Sequence, residues 1–379
     1  MKRILVFCSF VVLLTLPLGG LAGAQTIKIG LIGPLSGDAK PLGEWQKNEF
    51  EIAISEVNAK GGILGKRIVP VIADDQRNPA EASRVAQQLI RQEGVKLIVG
   101  TPYSICTIPI SDICQREGAV LISTTATNPQ VTVAEGKRKT YIFRACFIDP
   151  FQGWVMANFA HKTLRKRTAA VLYDVGNPYS KGLAEFFRDA FRKEGGQVKV
   201  FASYGLKDMD FSPLLAQVAA AQPEVLFLPD DGFRAALIAK QAREKGIQAT
   251  FLGGDGWAQA ALIEIAGPAV EGGFFSALSS PEDPRPEMQD FAQKYRAMFG
   301  LDLLPGGGQA YDATMVLLDA IKRAKSEDPR RVAEALAKTK NFQGVTGSIT
   351  LDQDGNAIKS AAIFEIVNGQ FKYKTTVNP

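Results

Sequence analysis

The sequence predicts an α/β protein with two doubly wound parallel sheets, each covered by helices on both faces. Three observations lead there. Short β-rich runs of the kind buried in parallel sheets alternate with segments whose apolar residues recur at helical spacing. About four such units precede Arg144 and four more run from Thr168 to Gly254, which suits two sheets better than one very wide sheet or a barrel. A length of 379 residues, 46% hydrophobic and 22% charged, is enough for about two globular domains and is unlike a disordered chain.

The first 24 residues read as a signal peptide. Lys2 and Arg3 precede an apolar run from Ile4 to Leu16, and Ala22-Gly23-Ala24 places small residues where a signal peptidase reads them, so cleavage is expected after Ala24. The run is far shorter than the roughly 20 residues that span a bilayer. Cys8 sits inside it and not at a cleavage site, which argues against a lipid anchor. No later stretch reaches membrane-spanning length, so an exported, soluble mature chain is expected.

In the mature chain, Thr26 to Ile32 is the first strand, and Gly33 to Gly37 is a tight loop. Leu42, Trp45, Phe50, Ala53, Ile54 and Val57 form a helical stripe that ends at Asn58 to Gly62. Arg67 to Ala73 is the second strand. Asn78-Pro79-Ala80-Glu81 then supplies an N-cap, a proline at the first helical position and a glutamate placed to close a capping box. Val85, Ala86, Leu89 and Ile90 are that helix's buried stripe. Further strands are expected at Lys96 to Val99, Val120 to Ile122, Thr168 to Tyr173, Val198 to Ser203, Val225 to Leu228 and Thr250 to Leu252. From Ser348 the pattern changes, because Asp352 to Asn356 and Asn368-Gly369 are hairpin turns between β-rich runs.

Composition excludes several kinds of function. The net charge of +5, lowered to +3 by removal of Lys2 and Arg3, is spread along the chain, which argues against a nucleic-acid partner. The single histidine, His161, lies in a basic run with Lys162, Arg165 and Arg167 and reads as a solvated helix end, so no nucleophile-base pair is apparent and no catalytic residue is expected. Cys106 and Cys114, eight apart in one expected helix, are separated by about 12 Å of rise and cannot pair there. With Cys146 they read as buried, inert thiols. Gly30, Gly33 and Gly37 lack the dinucleotide spacing, and G-P-L-S-G around Ser36 is not a nucleophile elbow. Asp352 and Asp354 begin like a calcium loop, yet the twelfth position is Ile363, so a plain turn is expected and neither metal nor cofactor is assigned.

Ligands of open α/β sheets sit beyond the carboxyl ends of the strands. The residues there are mostly small, hydroxylated or aromatic, which suits a small polar ligand. Ser104, Thr125 and Thr127 offer donors for a carboxylate and Asp255 a counter-charge for an ammonium, the two ends of an amino-acid zwitterion. Helix capping is the competing explanation for such residues after strands.

T-I-K-I-G-L-I-G-P-L-S-G, S-E-V-N-A-K-G-G-I-L-G-K-R-I, V-G-T-P-Y-S, L-I-S-T-T-A-T-N-P, N-P-Y-S-K-G, D-F-S-P-L-L, G-G-D-G-W, A-Y-D-A and G-S-I-T-L-D-Q-D-G-N occur in order along the mature chain. Together they resemble the branched-chain amino-acid-binding, Leu/Ile/Val type, solute receptors of ABC importers. The resemblance implies a type I periplasmic-binding-protein fold: two Rossmann-like lobes joined by three crossover segments that close on ligand. It implies one lobe of residues 25–147 plus 279–361 and another of 148–278 plus 362–379, a monomer, a periplasmic location and an ABC permease as partner. It places Ser104 and Thr127 on the α-carboxylate and ammonium, with Thr125 contributing mainly its backbone. Tyr179 matches an aromatic from the facing lobe, Asp255 the acid that meets the ammonium, and Leu42 and Tyr103 the side-chain pocket.

Two departures qualify the ligand. The positions of a disulfide common in this family read as Arg77 and Tyr103, and a second cleft aromatic is replaced by Asp231, a further polar acceptor. The expected function is capture of a branched-chain or other hydrophobic amino acid for delivery to a permease. Same-fold receptors for short amides, urea or aromatic acids, and a sensory binding module, are the alternatives. Asp255 favours an amine-bearing ligand, because an aromatic carboxylate would meet it as a like charge.

Overall fold

A computed structural model describes residues 25–379; the expected signal peptide lies outside the described residues. The first sheet consists of β1 (Thr26–Gly33), β2 (Arg67–Asp74), β3 (Leu97–Gly100), β4 (Val120–Ser123) and β5 (Ile142–Arg144). Its spatial order is β2-β1-β3-β4-β5, parallel throughout. The second sheet repeats this plan with β6 (Thr168–Asp174), β7 (Gln197–Tyr204), β8 (Val225–Leu228), β9 (Thr250–Gly253) and β10 (Phe274–Ala277) in the order β7-β6-β8-β9-β10. A hairpin of β11 (Ala361–Val367) and β12 (Gln370–Val377) extends it antiparallel beyond β10.

Burial explains why these runs became strands. β3 (Leu-Ile-Val-Gly), β4 (Val-Leu-Ile-Ser) and β8 (Val-Leu-Phe-Leu) are buried at every residue, as central strands covered on both faces must be. On one face of the first sheet, Leu31, Val99, Ile122 and Phe143 pack under helices Lys40–Ala59 and Gln309–Ala324. Its other face lies against Pro79–Arg91 and Ser104–Glu117. The second sheet is covered by Gly232–Glu244 on the side of Leu226, Phe251 and Phe275, and by Asp149–Asn158 and Pro178–Lys193 on the side of Val171, Phe227 and Leu252.

The chain passes between the sheets three times: after β5, after β10, where the helices return to the first sheet, and again before β11. Both strand orders reverse at equivalent places, between β1 and β3 and between β6 and β8. Those are the crevices where an open α/β sheet accepts a ligand.

The structure corrects the sequence reading at two points. Each parallel array has five strands rather than four: β5 and β10 were not expected. β5 is three residues long and follows a short 3₁₀ turn and a two-residue hairpin instead of a helix, so the alternation that marks the other strands is missing there. Asn78 does cap its helix, accepting from the backbone N–H of Ala80 and Glu81, but Glu81 turns to Arg84 at 2.6 Å and leaves the capping box open. The two tail hairpins are present, and Asp352 accepts from the backbone of Asp354 and Asn356, both at 2.8 Å, within its own turn.

Candidate functional site

The two crevices face each other across one cavity of about 660 Å³, counting its open mouth. All eight residues singled out from the sequence line it. Leu42, Tyr103, Ser104, Thr125 and Thr127 come from the first sheet's side, and Tyr179, Asp231 and Asp255 from the second's.

On the first side the capping alternative does not describe the hydroxyls. Ser104 opens helix Ser104–Glu117 without capping it, and its Oγ accepts from the backbone N–H of Asn128 at 3.3 Å. Thr125 Oγ1 donates to the Pro102 carbonyl and accepts from Gln46 Nε2, each at 3.2 Å, which fixes the loop that presents its backbone. Thr127 Oγ1 is buried, makes no well-formed hydrogen bond among the described residues and faces the buried Asp149 carboxyl. A buried hydroxyl left without a partner costs about 1–3 kcal/mol, so it is a group that a polar ligand would satisfy.

On the second side Asp255 Oδ1 accepts from Gln152 Nε2 at 2.8 Å and from the Tyr179 hydroxyl at 2.9 Å. Tyr179 in turn accepts from the backbone N–H of Gly256 at 3.1 Å, and Gln152 is held by Ser276 Oγ at 3.0 Å. This packing needs a glycine at 254, where a Cβ would lie 2.5 Å from the Tyr179 hydroxyl. Burial pushes the Asp255 carboxyl up to about 6 against the pull of those donors. At neutral pH it is therefore mostly ionised, and the two side chains that hold it are neutral. Behind it, Asp149 is fully buried, its carboxyl beside the Thr127 hydroxyl. Burial pushes it up to about 8, so at neutral pH it is mostly protonated.

Arg77 lies with its guanidinium 4.2 Å from the centre of the Tyr103 ring and pairs with Asp231 across the cleft. Asp231 Oδ1 also caps helix Gly232–Glu244, accepting from Arg234 N at 3.1 Å. Asp231 thus lines the cleft as expected, but both its oxygens are engaged by the protein. The capping explanation holds for this residue, whereas Asp255 is the first residue of a short 3₁₀ turn whose N-cap is Gly254.

Sequence reasoning missed Arg77 and Trp45 as lining of the cleft and Gln152, buried beside it, as a partner of Asp255. Trp45 sat in an apolar helical stripe and read as core, and Gln152 lies within a helix, where post-strand logic does not look. The three cysteines among the described residues are free and buried, and burial pushes the Cys114 and Cys146 thiols up to about 12. They are inert at neutral pH.

A family model described as periplasmic binding protein matches residues 26–370. The chain belongs to that family. Among its periplasmic-binding-protein relatives, a leucine-, isoleucine-, valine-, threonine- and alanine-binding protein of Pseudomonas aeruginosa is 32% identical over 336 residues, 88% of this chain and 87% of the relative. The crystal structure of a leucine-binding protein from Thermotoga maritima is 35% identical, with a TM-score of 0.88 over 93% of this chain and 99% of that one. A branched-chain amino-acid substrate-binding protein of Streptococcus pneumoniae, solved in complex with isoleucine, is 29% identical with a TM-score of 0.86, covering 94% of this chain and 100% of that one. These likenesses run through both sheets, so the type I periplasmic-binding-protein fold is that of the whole described chain.

Proposed function

We propose that this protein is an exported receptor that captures an amino acid with a neutral, mainly hydrophobic side chain between its two lobes and delivers it to an ABC permease. The observation that carries the reading is the pairing, in one cleft, of a buried acid held by neutral side chains, Asp255, with the buried Thr127 hydroxyl, which makes no well-formed hydrogen bond, on the facing side. An ammonium matches the first, and a zwitterion's polar head the second together with Ser104 and the backbone at Thr125. Leu42, Trp45, Tyr103 and Leu278 line the same cavity and offer apolar surface to a side chain.

The relatives' names, which specify leucine, isoleucine and valine, support the same class of ligand. The lobes are taken as residues 25–147 plus 279–361 and 148–278 plus 362–379, and the three crossovers are the hinge. Cleavage after Ala24, a periplasmic location, a monomeric state and the permease partner belong to this proposal. So does the absence of catalysis, which the buried thiols and the surface setting of His161 support.

The test is calorimetric titration of the purified mature protein with leucine, valine, alanine, urea, acetamide and benzoate. Tight binding of the branched-chain amino acids, with none of the last three, is expected. Tight binding of benzoate or an amide without any amino acid would overturn the reading.

A further inference from the structure

Arg77 and Asp231 reach each other from opposite sides of the cleft, one from the loop after β2 and the other from the start of the helix after β8. The loop that carries Arg77 is held in a costly shape. Gln76 and Arg77 both have left-handed backbone, at φ +53° and +54°, which non-glycine residues seldom adopt. Two successive carboxylates hold it: Asp74 accepts from Gln76 N at 2.9 Å, and buried Asp75 accepts from Arg77 N at 2.8 Å. Asp75 is itself fixed by the Thr101 hydroxyl at 2.5 Å. The guanidinium then rests on the Tyr103 ring and meets Asp231 Oδ2, the oxygen that the helix cap leaves over. The neighbouring acid, Asp230, accepts from the Tyr204 hydroxyl at 2.6 Å and from Asp231 N at 2.8 Å and makes no hydrogen bond to Arg77.

Of the residues lining the cavity, Arg77 is the only basic one, and Asp231 neutralises it. We propose that Asp231 masks Arg77 when the lobes close, and that this pair makes the receptor select amino acids without a second carboxylate. The inference rests on the amino-acid reading above. A ligand side-chain carboxylate could reach Arg77 only by displacing Asp231, which would leave one of the two acids desolvated and unpaired. A side-chain amine would find Asp231 already taken. Because its partners sit on different lobes, the pair forms only on closure and so also favours the closed state for ligands that leave it intact.

Asp231→Asn removes the charge, keeps the shape and retains an oxygen for the helix cap, so it unmasks Arg77 with little other change. The test is calorimetric titration of wild type, Asp231→Asn, Arg77→Met and the double variant with L-leucine and L-glutamate. Wild type should bind leucine at least about 100-fold more tightly than glutamate. Asp231→Asn should bind leucine about tenfold more weakly than wild type, yet glutamate about tenfold or more tightly. Arg77→Met should weaken leucine without gaining glutamate, and the double variant should lose the glutamate gain and be no worse for leucine than the poorer single variant. If Asp231→Asn does not fold, Asp231→Ser keeps a capping oxygen and carries the same expectation. Leucine binding by wild type with no glutamate gain in the unmasked variant, or leucine losses that multiply in the double, would overturn the masking while the amino-acid reading stands. Failure of wild type to bind leucine would overturn both.

Discussion

Asp255 concentrates the chemistry of the cleft in one carboxyl group. Its donors, Gln152 and Tyr179, orient it without cancelling its charge, so a ligand ammonium is the partner it lacks. Asp255→Asn should therefore weaken leucine by about 2–5 kcal/mol, roughly 30-fold to several thousand-fold, while 4-methylpentanoate, which has leucine's shape without the amine, should lose nothing. Titration of both ligands into both proteins checks this. The acid must be ionised to bind, and burial holds its pKa at about 6. Leucine affinity should thus be steady above about pH 7 and fall as the pH drops through 6, and the Asn variant should lose that dependence. Ser104, Thr125, Thr127, Tyr179 and Asp255 were legible in the sequence because each follows a strand recognisable from its apolar run. Arg77 stood in an equally legible place, but nothing in the sequence shows that it pairs across the cleft. Gln152 and Asp149 belong to the helix that enters the second lobe, and only the fold brings them behind Asp255.

Among the elements, the helix Lys40–Ala59 depends on an acid that sits inside its own apolar stripe, four residues from both Trp45 and Ala53. Glu49 is buried, and its two oxygens accept from Gly308 N at 2.6 Å and Ala310 N at 2.8 Å, at the start of helix Gln309–Ala324. It ties two helices of the first lobe and meets the positive end of the second helix's dipole. Glu49→Gln supplies one acceptor and turns an NH₂ toward the other N–H, so urea denaturation should show a loss of about 1–3 kcal/mol. Unchanged stability would mean that packing alone positions these helices. The helical stripe was legible from apolar spacing, and the partner of Glu49 was not, since 259 residues separate it from Gly308. β5 and β10 stayed hidden because the strand–helix alternation lapses before them: a 3₁₀ turn and a small hairpin precede β5, and a seven-residue helix with a further 3₁₀ turn precedes β10.

Across the whole molecule, six buried carboxyls, Glu49, Asp75, Asp149, Asp230, Asp255 and Asp312, share one sign of pH dependence. Glu49 is pushed up to about 7, Asp149 to about 8 and Asp255 to about 6, each by burial first. A carboxyl raised in the folded state gives stability that is complete below its unfolded value and is lost as the pH rises through its folded one. The ligand-free protein should accordingly melt at a lower temperature near pH 8.5 than near pH 5.5, and Asp149→Asn should flatten that slope. Leucine's protection should run the other way, growing from pH 5.5 to 7 as Asp255 ionises. The two-lobed plan was legible from alternating strands and helices, whereas the tail's return to the second lobe was implied only by the family resemblance, and the strand pairing shows it as an antiparallel hairpin beside β10. The most direct test of the account is a crystal structure of the mature protein grown with L-leucine. It should show one leucine between the lobes, its ammonium within about 3 Å of the Asp255 carboxylate and its carboxylate on Ser104 and Thr127. Leucine bound with its amine turned away from Asp255, or bound outside the cleft, would contradict it.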